Sequence, residues 1–521
     1  MSDVLRIGSR KSSLAKLQTC LVQDQLRKLY PELDLRLFFK EASGDQDLNT
    51  PLWKMGSRGV FTQDLTKELV QGNVDVVVHS FKDLDLEGHE GTEILMVLPR
   101  ADQRDVLLFK RSSYENPPKE IKIHSSSPRR EYNLSAFLPT ALPSRLQNLP
   151  ISFHPVRGNV QTRLRKWKSD PEVSGLVVAK AAIDRLLSEN FSFSTTEEYS
   201  ELRKEIRTSI ANELFMVLPL SKNPNAPAQG ALAAEIRKGD ERTKKLLLPL
   251  LNRKEEEAVL EERKILSYFG GGCHQKIGVS VILGGPADFL FVRGKTDSGS
   301  ELDAFDRWKG EELPIPSSLD LVFPKPRQGF RMKRSPVQQA SIPKEKFWFV
   351  SRADSLPKDW ELPGAETVFI VAGAKTWEKL ASRDVWVNGS TDGLGEEDAK
   401  NIVSFYESNP DFIKLTHEES DIIEGVWRRF VTYKVDFESE QPDLSGYSHF
   451  FWMSASQFDR AYKKNPEIGS KIHSCGTGAT YKYIRKTLGD SAKIFAFPNF
   501  ESWERACKGH IPDFLTKRGA V

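Results

Sequence analysis

The chain has 521 residues, of which 39% are hydrophobic and 28% charged, and a net charge of +3. That length exceeds one hydrophobic core and fits three or four domains of ordinary globular composition. The charge is too small to imply a nucleic-acid partner, and no apolar run reaches the ~20 residues of a bilayer span. The N-terminus Met1-Ser2-Asp3-Val4-Leu5-Arg6 has no secretory apolar region, so a cytoplasmic location is expected. Four widely spaced cysteines, Cys20, Cys273, Cys475 and Cys507, make neither a disulfide framework nor a zinc site, and no metal is expected.

The first hundred residues predict a mainly parallel α/β sheet. Leu5 to Ile7 is a strand that runs through Gly8-Ser9-Arg10-Lys11-Ser12-Ser13 into a helix over Leu14 to Leu29. A P-loop is excluded because GxxxxGK[ST] is absent. Leu33 to Phe39 alternates as a strand, and Phe61 to Val70 reads as a helix ended by Gly72. The apolar strand Val74 to Val78, interrupted only by Asp75, ends in His79-Ser80-Phe81-Lys82-Asp83. Open α/β sheets bind ligands at such strand ends, so Lys82 and Asp83 read either as functional or as a surface ion pair of little consequence.

A second α/β pattern runs from Asp105 to Leu187, with strands at Val106 to Phe109, Ile121 to His124, Ile151 to Phe153 and Leu176 to Ala179. After the second of these, Ser125-Ser126-Ser127-Pro128-Arg129-Arg130 offers hydroxyls, backbone N–H groups and two guanidiniums to an anion; the alternative is a capped helix with solvated arginines. Arg157-Gly158-Asn159 and Arg163 repeat the pattern, with guanidinium forks suited to carboxylate or phosphate. From Arg129 to Arg165 there are six arginines and one acid, Glu131.

The polar stretch Ser188 to Arg207 reads as an insertion or mobile loop. Met216 to Leu218 and Pro227 to Ala234 then lead back to the first domain. Charged helices over Glu241 to Tyr268 precede Gly270-Gly271-Gly272-Cys273 and strands at Val279 to Leu283 and Phe289 to Arg293. Three glycines strip the β-carbons from around one thiol, so the loop either admits a bulky group to Cys273 or is a plain turn holding a buried cysteine. Pro314, Pro316, Pro324, Pro326, Pro336 and Pro343 give residues 309–346 a linker composition. A fresh α/β pattern follows, with strands at Phe347 to Ser351, Thr367 to Ala372, Val385 to Asn388, His449 to Ser454 and Ile472 to Cys475. Basic strand-end turns on two α/β lobes imply a cleft for a polyanion, since a small carboxylate needs one or two arginines and this chain offers at least five.

These segments together resemble a known family. R-I-G-S-R-K-S-S-L-A, V-H-S-F-K-D, S-S-S-P-R-R, R-G-N-V-Q-T-R-L, A-K-A-A-I-D-R-L, A-Q-G-A-L-A and G-G-G-C, in that order from about residue 4 to residue 300, look like the motif set of the hydroxymethylbilane synthase (porphobilinogen deaminase) family. The resemblance implies two type II periplasmic-binding-protein-like lobes (1–100 with 220–248, and 101–219), then a small α+β cofactor-attachment domain (249–308). It implies a dipyrromethane cofactor bound to Cys273 as a thioether, and polymerisation of four porphobilinogens to hydroxymethylbilane with release of ammonia.

In that reading Asp83 is the catalytic acid/base. Lys82, Ser80, Ser125, Ser126, Ser127, Arg129, Arg130, Arg157 and Gly158 hold the cofactor. Arg10, Ser12, Lys54, Arg58, Arg163, Arg185 and Gln229 meet the substrate, with Lys54 and Arg58 in a lid-like segment. Ala228 stands where the family usually has glycine, and Asp85 where proline is common.

Beyond the linker, residues 347–521 resemble uroporphyrinogen-III synthase. The likeness is carried by Val385-Trp386-Val387-Asn388-Gly389-Ser390, Trp452 to Ser456 and Ser474 to Thr480, with Gly476-Thr477-Gly478 in place of the usual Gly-Pro-Thr. It implies a second α/β module that closes the same linear product, with Ser454, Ser456 and Thr477 at its substrate. The whole then reads as a bifunctional, monomeric enzyme of tetrapyrrole biosynthesis, a transferase and a lyase, with neither nucleic acid nor membrane as partner. The alternatives are a monofunctional synthase with a regulatory or structural C-terminal domain, and a non-catalytic type II binding protein.

Overall fold

The computed structural model describes residues 3–41, 63–86, 88–189, 191–271, 275–325, 332–337, 342–362, 364–418, 420, 427–437 and 442–510. They divide into two compact units, Met1–Pro139 with Arg145–Ser280 and Arg293–Leu302, and Thr140–Ser144 with Val281–Val292 and Asp303–Val521. The expected cofactor-attachment domain, 249–308, therefore contributes to both.

The first unit holds two sheets. Lobe 1 contains β1 (Val4–Arg10), β2 (Asp34–Lys40), β3 (Val76–Ser80), β4 (Thr92–Val97) and a later strand, β10 (Leu232–Arg237), in the order β2-β1-β3-β10-β4. β1 runs parallel to β2 and β3, whereas β10 is antiparallel to β3 and β4. Val76 and Val77 are fully buried, as a central strand covered on both faces requires. Asp75, the acid inside the predicted strand, lies just before β3 and is neutralised by Arg6 at 2.8 Å and Arg237 at 3.2 Å.

Lobe 2 contains β5 (Asp105–Phe109), β6 (Ile121–His124), β7 (Ile151–His154), β8 (Val173–Ala179) and β9 (Leu214–Val217), ordered β7-β6-β8-β5-β9. Here β5 is the antiparallel strand between β8 and β9. The chain crosses between the lobes twice, after β4 and after β9. The two crossings touch where Ala101 N donates to Gly230 O at 3.1 Å. Gly230 has φ +87°, and a β-carbon there would lie 2.4 Å from Ala101 O, so only glycine fits.

The segment expected as an insertion or mobile loop is largely helical, which sets aside the mobile-loop alternative. It continues from helix α1 (Lys180–Leu187) into α2 (Glu197–Ile210), which buries Tyr199, Leu202, Ile206 and Ile210. Charged residues between those four positions hid the apolar stripe. Tyr199 anchors it, its hydroxyl donating to Arg185 O at 2.8 Å and Leu186 O at 2.7 Å.

Helix α3 (Arg253–Tyr268) begins at the Asn252 cap, whose side chain accepts from Glu255 N at 3.3 Å. β11 (Gly278–Ile282), β12 (Asp288–Lys295) and β13 (Glu301–Lys309) then form a three-stranded sheet in that order. β13 was not foreseen.

The second unit contains two parallel sheets. One comprises β16 (Phe347–Val350), β17 (Val368–Val371), β18 (Val387–Ser390), β19 (Phe412–Thr416) and β20 (Trp427–Val431), ordered β18-β17-β16-β19-β20. The other comprises β14 (Val322–Phe323), β22 (His449–Trp452), β23 (Ile472–Cys475) and β24 (Ile494–Ala496). An antiparallel ladder pairs β15 (Met332–Pro336) with β21 (Tyr433–Phe437). β14 and β15 thus fall in the segment expected as a linker, and β19, β20, β21 and β24 were missed because short apolar runs without flanking turn signals are ambiguous. Among the described residues no helix is long and apolar enough to cross a membrane.

Candidate active site

β3 ends in a tight turn, Phe81–Asp83, with Phe81 buried as its anchor and the Asp83 side chain exposed. Arg263 of α3 holds this turn. Its guanidinium donates to Phe81 O at 3.3 Å, Leu84 O at 3.1 Å and Asp85 O, and lies 4.9 Å from the Phe81 ring centre. Burial lowers Arg263 to about 10, against the raising effect of Asp85. Asp85, the departure from the family's proline, contributes its carbonyl. The Ser80 hydroxyl bonds the Gln18 amide at 3.0 Å. Arg263 was missed by the sequence reading, which saw only a charged helix.

α3 also delivers the glycine loop. Gly270 and Gly271, at φ +98° and +65°, close the helix, with Gly271 N donating to Leu266 O at 3.0 Å. A β-carbon on Gly271 would lie 2.8 Å from Leu86 Cδ1, so the loop approaching Cys273 passes against the segment that follows Asp83. Backbone conformation and this close approach both favour glycine here. Cys273 itself, with Lys54 and Arg58, lies outside the described residues.

In lobe 2 the organising group is Asp105, which the sequence reading passed over although it opens an otherwise apolar strand. Its fully buried carboxylate accepts from Arg129 Nη2 at 2.8 Å, Arg130 Nη2 at 2.6 Å, Asn223 Nδ2 at 2.9 Å and Gln229 Nε2 at 2.9 Å. Burial raises the Asp105 carboxyl, but Arg130 and Arg129 outweigh it and hold the group far below the usual carboxylate range. Arg129 also donates to Pro224 O at 2.6 Å, and Arg130 to Val177 O at 3.2 Å. The guanidinium forks expected to face a ligand are therefore turned onto the protein. The buried Nε atoms of both arginines have no partner among the described residues.

Gln229 joins the lobes, since its amide accepts from Lys82 Nζ at 3.2 Å while donating to Asp105. Burial pushes the Lys82 ammonium down, Asp83 and Asp105 raise it, and Arg130 and Arg129 lower it further. Ser126 Oγ donates to Val156 O at 2.7 Å and accepts from Val156 N at 2.9 Å, which fixes the Arg157–Gly158 turn. Asn159 then caps helix α4 (Val160–Ser169), and Arg163 Nε donates back to Gly158 O at 2.7 Å. Burial lowers Arg163 to about 10, helped by Arg130 and Arg157 and opposed by Asp83. Ser125 and Ser127 accept long bonds from Ser127 N (3.4 Å) and Arg130 N (3.5 Å), so the capping alternative describes them better than an open anion site.

Other expected residues are dispersed. Arg185 is buried and donates to Gly230 O at 2.6 Å, bracing a crossing segment instead of joining the cluster. Arg10 is half-buried at the end of β1, and Ser12 precedes the helix Ser13–Leu29 without a side-chain capping bond. In the second unit Ser454 caps the helix Ala455–Lys464 and lies 3.1 Å from Ser456 Oγ. The Thr477 hydroxyl donates to Leu394 O at 3.0 Å, which joins the strand ends of the two sheets.

Lys82, Arg129, Arg130, Arg157 and Arg163 thus feel one another around Asp83 and Asp105, five cations against two carboxylates. Arg129 and Arg130 are paired with the buried Asp105, whereas Lys82, Arg157 and Arg163 are half-buried beside the exposed Asp83, a setting that favours an anionic partner. A dipyrromethane bearing acetate and propionate side chains fits that setting.

Residues 5–245 match the family model described as porphobilinogen deaminase, dipyromethane cofactor binding domain. The chain is 34% identical to porphobilinogen deaminase of Natranaerobius thermophilus over 53% of this chain and 78% of that protein. It is 32% identical to the enzyme of Syntrophus aciditrophicus over 57% of this chain and 86% of that protein. For Synechococcus elongatus the figures are 33%, 54% and 78%. Among solved structures, the OxyR2 regulatory domain from Vibrio vulnificus is 14% identical over 50% of this chain and 98% of that one, with a TM-score of 0.24, a score that fixes no shared fold.

Proposed function

The chain belongs to the porphobilinogen deaminase family, with the family's dipyrromethane-binding domain at residues 5–245, and from this premise we propose which of its residues do the work. When bound, the dipyrromethane supplies the pyrrole carbon onto which porphobilinogen units are added. Asp83 stabilises the positive charge that develops on porphobilinogen as ammonia departs and moves the proton at the pyrrole nitrogen. Its exposure at the tip of a turn gripped by Arg263 suits a group that must meet a succession of substrates. Lys82, Arg157 and Arg163, with the Nε edges of Arg129 and Arg130, hold carboxylates of cofactor and growing chain. Cys273 is the tether, alkylated once and retained. The observation carrying this reading is the gathering of Lys82 and Arg163 about Asp83, with Arg129, Arg130 and Arg157 next to them. Intact-mass measurement tests the tether: the wild type should exceed its sequence mass by one dipyrromethane and Cys273→Ser should not, whereas unmodified yet active wild type overturns it.

We further propose that the second unit cyclises hydroxymethylbilane to uroporphyrinogen III. The motif resemblance supports this, as do two parallel sheets whose strand ends meet at Thr477 and Leu394, an arrangement that offers a cleft to a folded linear substrate. Porphobilinogen given to the full chain should yield mainly the type III ring isomer. Type I alone would leave a monofunctional synthase with a structural or regulatory C-terminal half.

A further inference from the structure

The second unit carries a basic cluster that the motif resemblance does not touch. β15 and β21 pair in antiparallel register, Arg334 opposite Val435 and Pro336 opposite Tyr433. Directly opposed residues share a face and alternate residues return to it, so Arg334 and Tyr433 project from the same face of the ladder. The ladder is fastened to the end of β19, because Val337 N donates to Thr432 O and Thr432 N to Thr416 O, both at 2.9 Å. Thr416 is the last residue of β19, and β16 runs parallel beside it into Ser351 and Arg352. Arg334, Arg352 and Tyr433 therefore collect at the C-terminal edge of the five-stranded sheet, the edge where open parallel sheets receive ligands.

The chemistry of the cluster is that of an anion seat. Tyr433 is buried, bonded to the Thr416 side chain, and its phenol is raised by that burial. The half-buried Arg334 guanidinium is lowered first by burial and then by Arg352, with Asp354 acting the other way. Asp354 stands 3.8 Å from Arg352, and both side chains are largely in water, where such a pair contributes little. At the same sheet edge a β-carbon on Gly373, which follows β17, or on Gly393, which follows β18, would meet nothing, so open space adjoins the backbone there.

We propose that Arg334 and Arg352, with Tyr433 beside them, bind carboxylate groups of a linear polycarboxylated pyrrole chain in the second unit. Guanidinium forks grip carboxylates bidentately, and two of them restrain a flexible multiply charged ligand better than one. The proposal rests on the cyclase reading and adds to it a place where the substrate's acidic side chains are held.

The test uses the full chain, fed with porphobilinogen, and reads the ratio of type III to type I ring isomer against the rate of porphobilinogen consumption. Arg334→Gln and Arg352→Gln should each lower the type III fraction severalfold, and the double variant should approach type I alone, with consumption unchanged. If a glutamine variant lowers the melting temperature, Arg334→Lys and Arg352→Lys carry the test; keeping charge while losing the fork, they should give intermediate type III fractions. A wild-type isomer ratio in the double variant overturns the seat and leaves the cyclase reading standing. Type I alone from the wild type overturns the cyclase reading and the seat with it.

Discussion

Lobes 1 and 2 have the same sheet plan and opposite electrostatics. In each, the second strand across the sheet lies between two parallel neighbours, and the fourth across, antiparallel, separates the third from the fifth. In lobe 1 the fourth strand is β10, supplied by the second crossing; in lobe 2 it is β5, supplied by the first. The charged turns follow different strands of that plan: the exposed Asp83 of lobe 1 follows β3, the counterpart of β8, whereas Arg129, Arg130 and Arg163 of lobe 2 follow β6 and β7, the counterparts of β1 and β2. Within lobe 2 there is a second contrast, since Arg129 and Arg130 spend their forks on Asp105, whereas Arg163 returns only its Nε to a backbone oxygen. One sheet plan therefore carries an exposed carboxylate in one lobe and arginines in the other, and those arginines differ in how far the protein itself engages them.

The largest expected effect bears on the lobe 1 side of that contrast. Asp83→Asn should lower porphobilinogen turnover by about 10²–10⁴-fold, the range for losing a positioned acid/base. Its melting temperature should stay at the wild-type value, because an exposed side chain contributes little stability. A variant that retained turnover would remove the reason for calling the lobes unequal.

Asp105→Asn should do the reverse, destabilising the fold by about 3–5 kcal/mol because Arg129 and Arg130 are left buried without their partner. Asp105 in the unfolded chain titrates near ~3.9, and its folded value is depressed. Its contribution is therefore complete above about pH 4 and fades as the pH falls toward the folded value. A thermal melt series should show a shallower acid limb in Asp105→Asn than in the wild type.

Arg163→Gln separates the two kinds of arginine. Losing one charge-assisted contact to a carboxylate of about 1.5–3 kcal/mol should raise KM for porphobilinogen about 10- to 100-fold. Stability should hold or rise, since burial and the like charges of Arg130 and Arg157 disfavour the Arg163 cation. Arg129→Gln should instead lower the melting temperature.

Arg263→Met should reduce kcat about tenfold with KM little changed, through a loosened Asp83 turn, and Arg263→Lys should recover part of the loss. An equal loss in the two variants, or a change in KM alone, would mean that Arg263 does not position Asp83.

The smallest effect concerns the crossings. Ala228 has φ +66° and is fully buried. Changing it to glycine relieves about 1 kcal/mol of left-handed strain but forfeits about 0.8 kcal/mol of buried methyl and adds about 0.5–1 kcal/mol of unfolded-state entropy. The melting temperature of Ala228→Gly should therefore stay within about 2 °C of the wild type. The alanine in place of glycine is tolerated because its methyl group is packed.

Much of the first unit was legible because its signals are local. An unbroken apolar run such as Val76 to Val78 has few ways to be buried, and turns such as Gly158-Asn159 carry their own geometry. The helix Glu197–Ile210 was not legible, since four buried positions among charged residues give a weak stripe that becomes decisive only when Tyr199 finds carbonyls to bond. The strands β14 and β15 lie in proline-rich sequence and gain their partners, β22 and β21, only from about 100 or more residues away.

By itself the sequence determined that strand-end turns bear an acid and an excess of arginine, because residue type and spacing along one segment set what chemistry that segment can offer. It did not determine which arginines would be free for that chemistry. Asp105 stands 24 and 25 residues from the two guanidiniums it binds, and Arg263 stands 182 residues from the Phe81 carbonyl it grips. Those pairings cost chain entropy to bring together and are compensated only within a packed, desolvated interior, so the tertiary structure alone decided them.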